Sequence, residues 1–305
     1  MTVDKLHQVV VYGLGAMGRP MARNLNQQGL LIGVKNRTEG KAHAMQKELG
    51  LTAFSDDAAL FAAADTVLTC VSADDDLKSI INSIIPLLKP GSVVIDCSTV
   101  SPQTAQSLSD DLAANGIAFL DAPVSGGVEG AKKGSLSIMV GGDRAQYKRA
   151  EDIFSAIGSQ ITHMGKVGQG QATKAVNQVM VAGVAQAVCS ALAMAEQCKL
   201  DVKKVVEVLS AGAAGNWFLE NRGQTMIKDQ FNLGFKLDLL LKDLHICQST
   251  LDSMDASLPL VQNSIEDYRR LSEAGYGDED ISALIRLKRC LLNDKELVPD
   301  NEHDA

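Results

Sequence analysis

Through its first 165 residues the chain alternates short β-branched apolar runs with stretches of helical period; beyond them the strand-like runs stop. The runs fall at residues 9–12, 31–35, 66–71, 92–96, 117–121, 135–141 and 160–163. Helical stretches lie between most of them, at 20–28, 41–49, 75–88, 102–115 and 144–157. Such alternation predicts an α/β fold, a doubly wound parallel sheet covered by helices on both faces. Turn residues fall between the segments: Gly29, Gly50, Pro90-Gly91, Asn115-Gly116 and Gly158. From there on only helical patterns remain, at 169–198, 202–211, 237–254, 259–274 and 281–292. The expected organisation is an α/β domain over 1–165, an all-helical domain over 166–292 and a polar tail over 293–305. A chain of 305 residues is long enough to give both domains a core.

Composition narrows the class. With 46% apolar and 22% charged residues the chain reads as an ordinary soluble protein. A net charge of -8 disfavours nucleic acid and anionic membranes as partners, without bearing on a small anionic substrate. The Ala/Val-rich stretch 176–195 is interrupted by Asn177, Gln178, Gln186 and Ser190, and is expected to be a helix buried inside a soluble protein. The first residues are polar, so no secretory signal is expected. The six cysteines form no C-x-x-C pair, which predicts mostly buried free thiols in a reducing cytoplasm. The five histidines form no H-x-x-x-H cluster, and no metal site is expected.

The first apolar run leads into Gly13-Leu14-Gly15-Ala16-Met17-Gly18 and then directly into a helical stretch. A G-x-G-x-x-G between strand and helix is the dinucleotide fingerprint: the backbone bends tightly, lets a pyrophosphate approach, and offers it a helix N-terminus. An NAD-binding domain ordinarily carries an acid at the end of its second strand for the ribose 2′-hydroxyl. Here that strand ends Val34-Lys35-Asn36-Arg37-Thr38, with no acid before Glu39. Arg37 can pair with a 2′-phosphate, and Asn36 and Thr38 can donate to it. NADP(H) is therefore the expected cofactor, with NAD possible.

Two later stretches carry the chemistry. Asp121-Ala122-Pro123-Val124-Ser125-Gly126-Gly127 follows a predicted strand, at the edge where open α/β sheets bind ligands. The Ser125 hydroxyl and the unshielded N–H groups of Gly126 and Gly127 suit a carboxylate. The second stretch, beginning at Gly165-Lys166-Val167-Gly168-Gln169-Gly170, opens a helix on which Lys174, Asn177 and Gln178 share one face. A partly desolvated lysine there has its pKa drawn towards the range useful for proton transfer.

Together with Lys242-Asp243-Leu244, these motifs resemble the β-hydroxyacid dehydrogenase family over nearly the whole chain, up to about residue 292. That family includes 3-hydroxyisobutyrate dehydrogenase, tartronate semialdehyde reductase and the glyoxylate/succinic semialdehyde reductases. The resemblance implies a Rossmann-type domain, a long interdomain helix, a helical C-terminal domain and a homodimer or homotetramer. It implies Lys174 as catalytic acid/base, Asn177 or Gln178 as its carboxamide partner, and Ser125, Gly126 and Gly127 on the substrate carboxylate. Thr99 is expected near the nicotinamide, Lys242 at the cofactor and Phe235 in the substrate pocket. Val71 and Ser72 are grouped with the cofactor residues. Many members carry Asn where this chain has Gln178, which leaves open which amide acts. 6-Phosphogluconate dehydrogenase shares the glycine and lysine elements but needs a longer helical domain, and imine reductases generally lack the lysine. A non-catalytic NADP-binding sensor or scaffold of the same fold is the alternative. The stretch from Ala213 to Arg222 reads either as a loop closing over the pocket or as a segment packed around a buried Trp217, which leaves open whether Asn216, Trp217 and Arg222 face the substrate.

Overall fold

The computed structural model describes residues 5–232 and 234–299, and the chain divides into two compact units, the first ending at Lys174 and the second beginning at Ala175. Among the described residues of the first unit, eight strands form one sheet. They are β1 (Val9–Tyr12), β2 (Leu31–Lys35), β3 (Thr66–Thr69), β4 (Val93–Asp96), β5 (Ala118–Asp121), β6 (Val124–Ser125), β7 (Leu136–Gly142) and β8 (Gly158–Gly165). Their order is β2-β1-β3-β4-β5-β7-β6, with β8 paired to β7. The connecting helices are α1 (Gly18–Gln27), α2 (Glu39–Leu49), α3 (Asp57–Ala63), α4 (Asp74–Ile84), α5 (Pro102–Ala113), α6 (Gly127–Lys133), α7 (Arg144–Arg149) and α8 (Glu151–Ile157).

The period-2 alternation of the strands divides the apolar side chains between two cores. Val9, Val11, Leu68, Val93 and Ile95 pack with Met21, Ala22 and Leu25 of α1 on one face. Val10, Val67 and Val94 pack with Leu77 and Ile81 of α4 and Leu108 of α5 on the other. Both faces are covered, which is why these strands read as unbroken apolar runs. β1 to β5 are parallel, and their order reverses between β1 and β3, the switch point at which doubly wound sheets take ligands. The register sets Thr69 beside Asp96 and Asp96 beside Asp121, so three strands end on neighbouring polar residues at one edge.

The expected doubly wound parallel sheet is present, with one addition at its far end, where β7 runs antiparallel to β5 and β6. The connection contains α6, seven residues long, which spans only about 10 Å. It turns at the edge where β5 ends, and the chain re-enters the sheet from that edge. The stretch 144–157 is two helices that part at Ala150, beside the Arg149 carbonyl that accepts the Leu6 N–H. α3 was not expected; Asp56 caps it by accepting the Ala59 N–H at 2.8 Å.

α9 (Gln169–Gln197) carries the chain out of the first unit. In the second follow α10 (Val202–Ser210), α11 (Trp217–Ile227), α12 (Leu237–Asp252), α13 (Pro259–Glu273) and α14 (Leu284–Leu292). Ala182, Ala185, Cys189 and Leu192, spaced three and four apart, give α9 its inward face, against Met226, Leu244, Tyr268 and Leu284. α9 is long and apolar enough to cross a membrane, yet only 44% of its most apolar window is buried. The expectation of a buried helix is corrected accordingly: Val176, Met180 and Met194 are exposed. Of the thiols expected to be buried, Cys97, Cys189 and Cys247 are, while Cys70 and Cys290 are half-buried and Cys198 is exposed.

The expected pocket loop is also corrected. Asn216 accepts the Leu219 N–H at 3.0 Å and so caps α11. Trp217 is exposed, with the Arg222 guanidinium 5.1 Å from its ring. Arg222 pairs with the buried Asp280 at 3.3 Å. The Arg222–Asp280 pair thereby ties α11 to the segment before α14.

Candidate active site

The glycine turn after β1 is the first component. Gly13 has φ +107°, and a Cβ on it would lie 2.2 Å from the Cys70 carbonyl oxygen. A Cβ on Gly18 would lie 1.8 Å from the Gly13 oxygen. Both positions exclude any side chain. Gly15 differs, since a Cβ there meets nothing within 4 Å. It borders open space, as a position approached by a pyrophosphate should. The residues therefore fit a dinucleotide.

Asn36, at the end of β2, ties this turn to the ribose-side loop. Its Oδ1 accepts the Leu14 N–H at 2.9 Å, and its Nδ2 donates to the Thr38 oxygen at 3.2 Å. Thr38 occupies the N-cap position of α2. Arg37 is exposed and pairs with Asp76 of α4 at 2.9 Å.

At the ends of β3, β4 and β5 the polar residues form a buried network. Asp96 Oδ1 accepts the hydroxyls of Thr69 at 2.7 Å and Ser98 at 2.6 Å. The Ser98 hydroxyl oxygen accepts the Val71 N–H at 2.9 Å, which joins the segments after β3 and β4. Ser72 is exposed and Thr99 half-buried. On the neighbouring strand, Asp121 is fully buried and accepts the N–H of Gly168 at 2.8 Å and of Gln171 at 2.9 Å. Burial pushes its carboxyl up to about 6, opposed by those two hydrogen bonds and assisted by the charge of Asp96. A Cβ on Gly170 would lie 2.8 Å from Asp121 Oδ2, so this carboxylate can meet the helix only across a glycine.

Asp121 thereby anchors the N-terminus of α9, the helix that carries Lys174. The lysine is buried, at 7% exposure, one turn beyond Gln171. Four residues after Asp121, Ser125 is half-buried, and Gly126 (φ +127°) and Gly127 (φ +61°) are exposed at the start of α6.

The second unit holds a shorter chain of polar contacts. Asn177 Nδ2 donates to Gln178 Oε1 at 2.8 Å, Gln178 Nε2 to Asp243 Oδ2 at 2.6 Å, and Lys242 pairs with Asp243 Oδ1 at 2.8 Å. Gln178 and Asp243 are buried, while Asn177 is half-buried. Both candidate amides and Lys242 thus belong to one hydrogen-bonded series. Phe235 stands apart from it, half-buried, its N–H on Asp280 Oδ2 at 3.1 Å.

Asp96, Ser98 and Gln171 carry no expectation from the sequence, and Asp121 and Asp243 stand in its motifs without a role. The available signal was an acid closing an apolar run, as in Ile95-Asp96 and Leu120-Asp121. An acid there is costly to bury without donors.

A doubly wound sheet, an open glycine turn at its switch point and a buried lysine at the same strand edge define a nicotinamide-dinucleotide oxidoreductase. A family profile described as the NAD binding domain of 6-phosphogluconate dehydrogenase matches residues 8–165. One described as NAD-binding of NADP-dependent 3-hydroxyisobutyrate dehydrogenase matches residues 168–288. The chain is 33% identical to 2-hydroxy-3-oxopropionate reductase of Escherichia coli, over 93% of this chain and 97% of that one. It is 31% identical to the NAD-dependent L-serine dehydrogenase of Pseudomonas aeruginosa, over 92% and 98%. A solved 3-hydroxyisobutyrate dehydrogenase of Mycobacterium tuberculosis, with L-serine, superposes at a TM-score of 0.84 with 28% identity, over 93% of this chain and 99% of that one.

The chain belongs to the β-hydroxyacid dehydrogenase family. It is an NAD(P)-dependent hydroxyacid dehydrogenase acting on a CH–OH group. Nothing among these relatives supports the non-catalytic alternative.

Proposed function

We propose that the protein catalyses reversible NADP(H)-dependent hydride transfer between a small 3-hydroxy acid and its semialdehyde, with Lys174 as general acid/base. The observation that carries this reading is the burial of Lys174 on a helix whose N-terminus is fastened to the ligand-binding edge of the sheet. In its neutral form Lys174 takes the hydroxyl proton during oxidation. As ammonium it returns that proton to the carbonyl oxygen during reduction. The bound nicotinamide supplies or takes up the hydride. Ser125 and the N–H groups of Gly126 and Gly127 bind the substrate carboxylate, and Phe235 forms an apolar wall. Asn177 and Gln178 provide the carboxamides that steady the lysine and the reacting oxygen.

Gly13, Leu14, Gly15, Ala16, Met17 and Gly18 hold the pyrophosphate in this reading, with Val71, Ser72, Thr99 and Lys242 completing the cofactor contacts. Arg37 and Thr38 meet the 2′-phosphate that gives NADP(H) its preference; Asn36, expected to donate to that phosphate, instead gives its amide to the Thr38 oxygen and takes the Leu14 N–H, and so shapes the turn beside it. The relatives named for 2-hydroxy-3-oxopropionate and L-serine both act on three-carbon acids functionalised at C3, which supports a small 3-hydroxy acid here. The exposed Val176, Met180 and Met194 support a homo-oligomer that covers them.

Replacing Lys174 by Met is expected to lower kcat about 10²- to 10⁴-fold, with NADPH binding unchanged. The assay follows NADPH oxidation at about 340 nm across a panel of semialdehydes. Near-full turnover by the variant would refute the assignment.

A further inference from the structure

Gln171 is 1% exposed and lies three residues before Lys174 on α9, on the same side of the helix. Its Nε2 donates to the Ser98 oxygen at 2.8 Å, and its Oε1 accepts the Val100 N–H at 3.2 Å. The carboxamide thus grips the backbone on both sides of Thr99. Two contacts from one rigid plane fix the rotation of that segment as well as its distance, whereas a single bond would leave a pivot. The backbone N–H of Gln171 is held by Asp121 Oδ2, so the grip is anchored at its base. Ser98 is also fixed from the other side, by Asp96 and the Val71 N–H.

We propose that Gln171 is a positioning residue for hydride transfer, setting the distance and orientation of the Ser98–Val100 segment relative to Lys174. The inference rests on the reading of Lys174 as acid/base and of Thr99 as a neighbour of the nicotinamide. Filling space does not require an amide at this position, since a Met or Leu side chain occupies a similar volume without polar atoms to satisfy. What an amide adds is the matched donor and acceptor. The rise of α9 places Lys174 only about 4.5 Å further along the axis, so a tilt of this turn reaches the lysine directly. A misplacement of about 1 Å at reacting groups costs on the order of 100-fold in rate.

The test uses Gln171→Met, which removes both hydrogen bonds, and Gln171→Asn, which keeps an amide one methylene too short to span both partners. Measured on the full chain are kcat, NADPH affinity by fluorescence, Tm, and the isotope effect on kcat with NADPH deuterated at the transferred position. Gln171→Met is expected to lose about 10- to 100-fold in kcat with unchanged NADPH affinity and a larger isotope effect, as hydride transfer becomes rate-limiting. Gln171→Asn is expected to raise the isotope effect with a smaller loss of kcat, and carries the test if the Met variant does not fold.

A fall in Tm with kcat and isotope effect unchanged would make the grip purely structural and overturn the proposal. So would a loss of NADPH affinity that accounts for the whole loss of rate. The reading of Lys174 is judged separately: an active Lys174→Met variant refutes that reading whatever Gln171 does, and an inactive one leaves Gln171 to be decided by its own isotope effect.

Discussion

The two units bury acids in different ways. In the α/β unit, Asp121 is held by two backbone N–H groups, and Asp96 by the hydroxyls of Thr69 and Ser98. In the helical unit, Asp280 pairs with Arg222 and Asp243 with Lys242. Other pairs, Arg286–Glu279, Lys288–Asp267 and Arg289–Glu196, fasten α14 and the turn before it. The difference follows from architecture. Parallel strands in register end side by side, so their last residues meet loops rich in backbone donors. Helices satisfy their own backbone internally, so contacts between them fall to side chains, and long cations reach across. In the helical unit cations are added to the neutral donors that Asp280 and Asp243 also receive.

The contrast can be broken first at Arg222. Arg222→Ala leaves the Asp280 carboxylate buried with only its neutral donors, Phe235 N–H, Ser282 N–H and the Ser282 hydroxyl. Loss of one partner of a buried pair is expected to cost about 3 kcal/mol in urea unfolding. A cost near that of an exposed pair would mean that the helical unit is not held by its cations.

Asp121 is expected to show the next largest effect. Its carboxyl is raised to about 6 in the fold, mainly by burial, against about 3.9 in an unfolded chain. The native state therefore binds this proton more tightly than the unfolded state does. The stability it lends is fully present below about pH 4 and is lost as pH rises through 6, amounting to about 3 kcal/mol at most. Asp121→Asn removes that titration. Unfolding free energies measured from pH 4 to pH 7 should fall more steeply in the wild type than in the variant, and parallel profiles would refute the reading.

The smallest stability effect is expected at Arg37–Asp76, an ion pair of the α/β unit whose arginine is exposed. Arg37→Ala should cost no more than about 1 kcal/mol in stability. It should nonetheless weaken NADPH binding while leaving NADH binding unchanged. An unaltered NADPH-to-NADH ratio would remove Arg37 from the cofactor assignment.

Much of the α/β unit was legible in the sequence because its strands are buried on both faces and its turns are marked by glycine. Ser125, Lys174 and the glycine turn stood out for the same reason, each being an unusual residue in a patterned surrounding. The network was not legible. Asp121 meets donors 47 and 50 residues away, and Gln178 meets Asp243 at a separation of 65, distances over which periodicity carries no information. α11 escaped notice because the small residues before Trp217 mark a turn, and that turn leads directly to Asn216, which caps a helix. β6 is two residues long, too short for any pattern.

The glycine turn separates two kinds of genetic lesion within six residues. At Gly13 and Gly18 any side chain collides with backbone, so a change there is a lesion of assembly. At Gly15 the neighbouring space is open, and an added methyl group obstructs only what would enter from outside. One loop thus contains both a position where damage removes the protein and a position where damage leaves an intact but unresponsive one, a distinction that expression level alone can read.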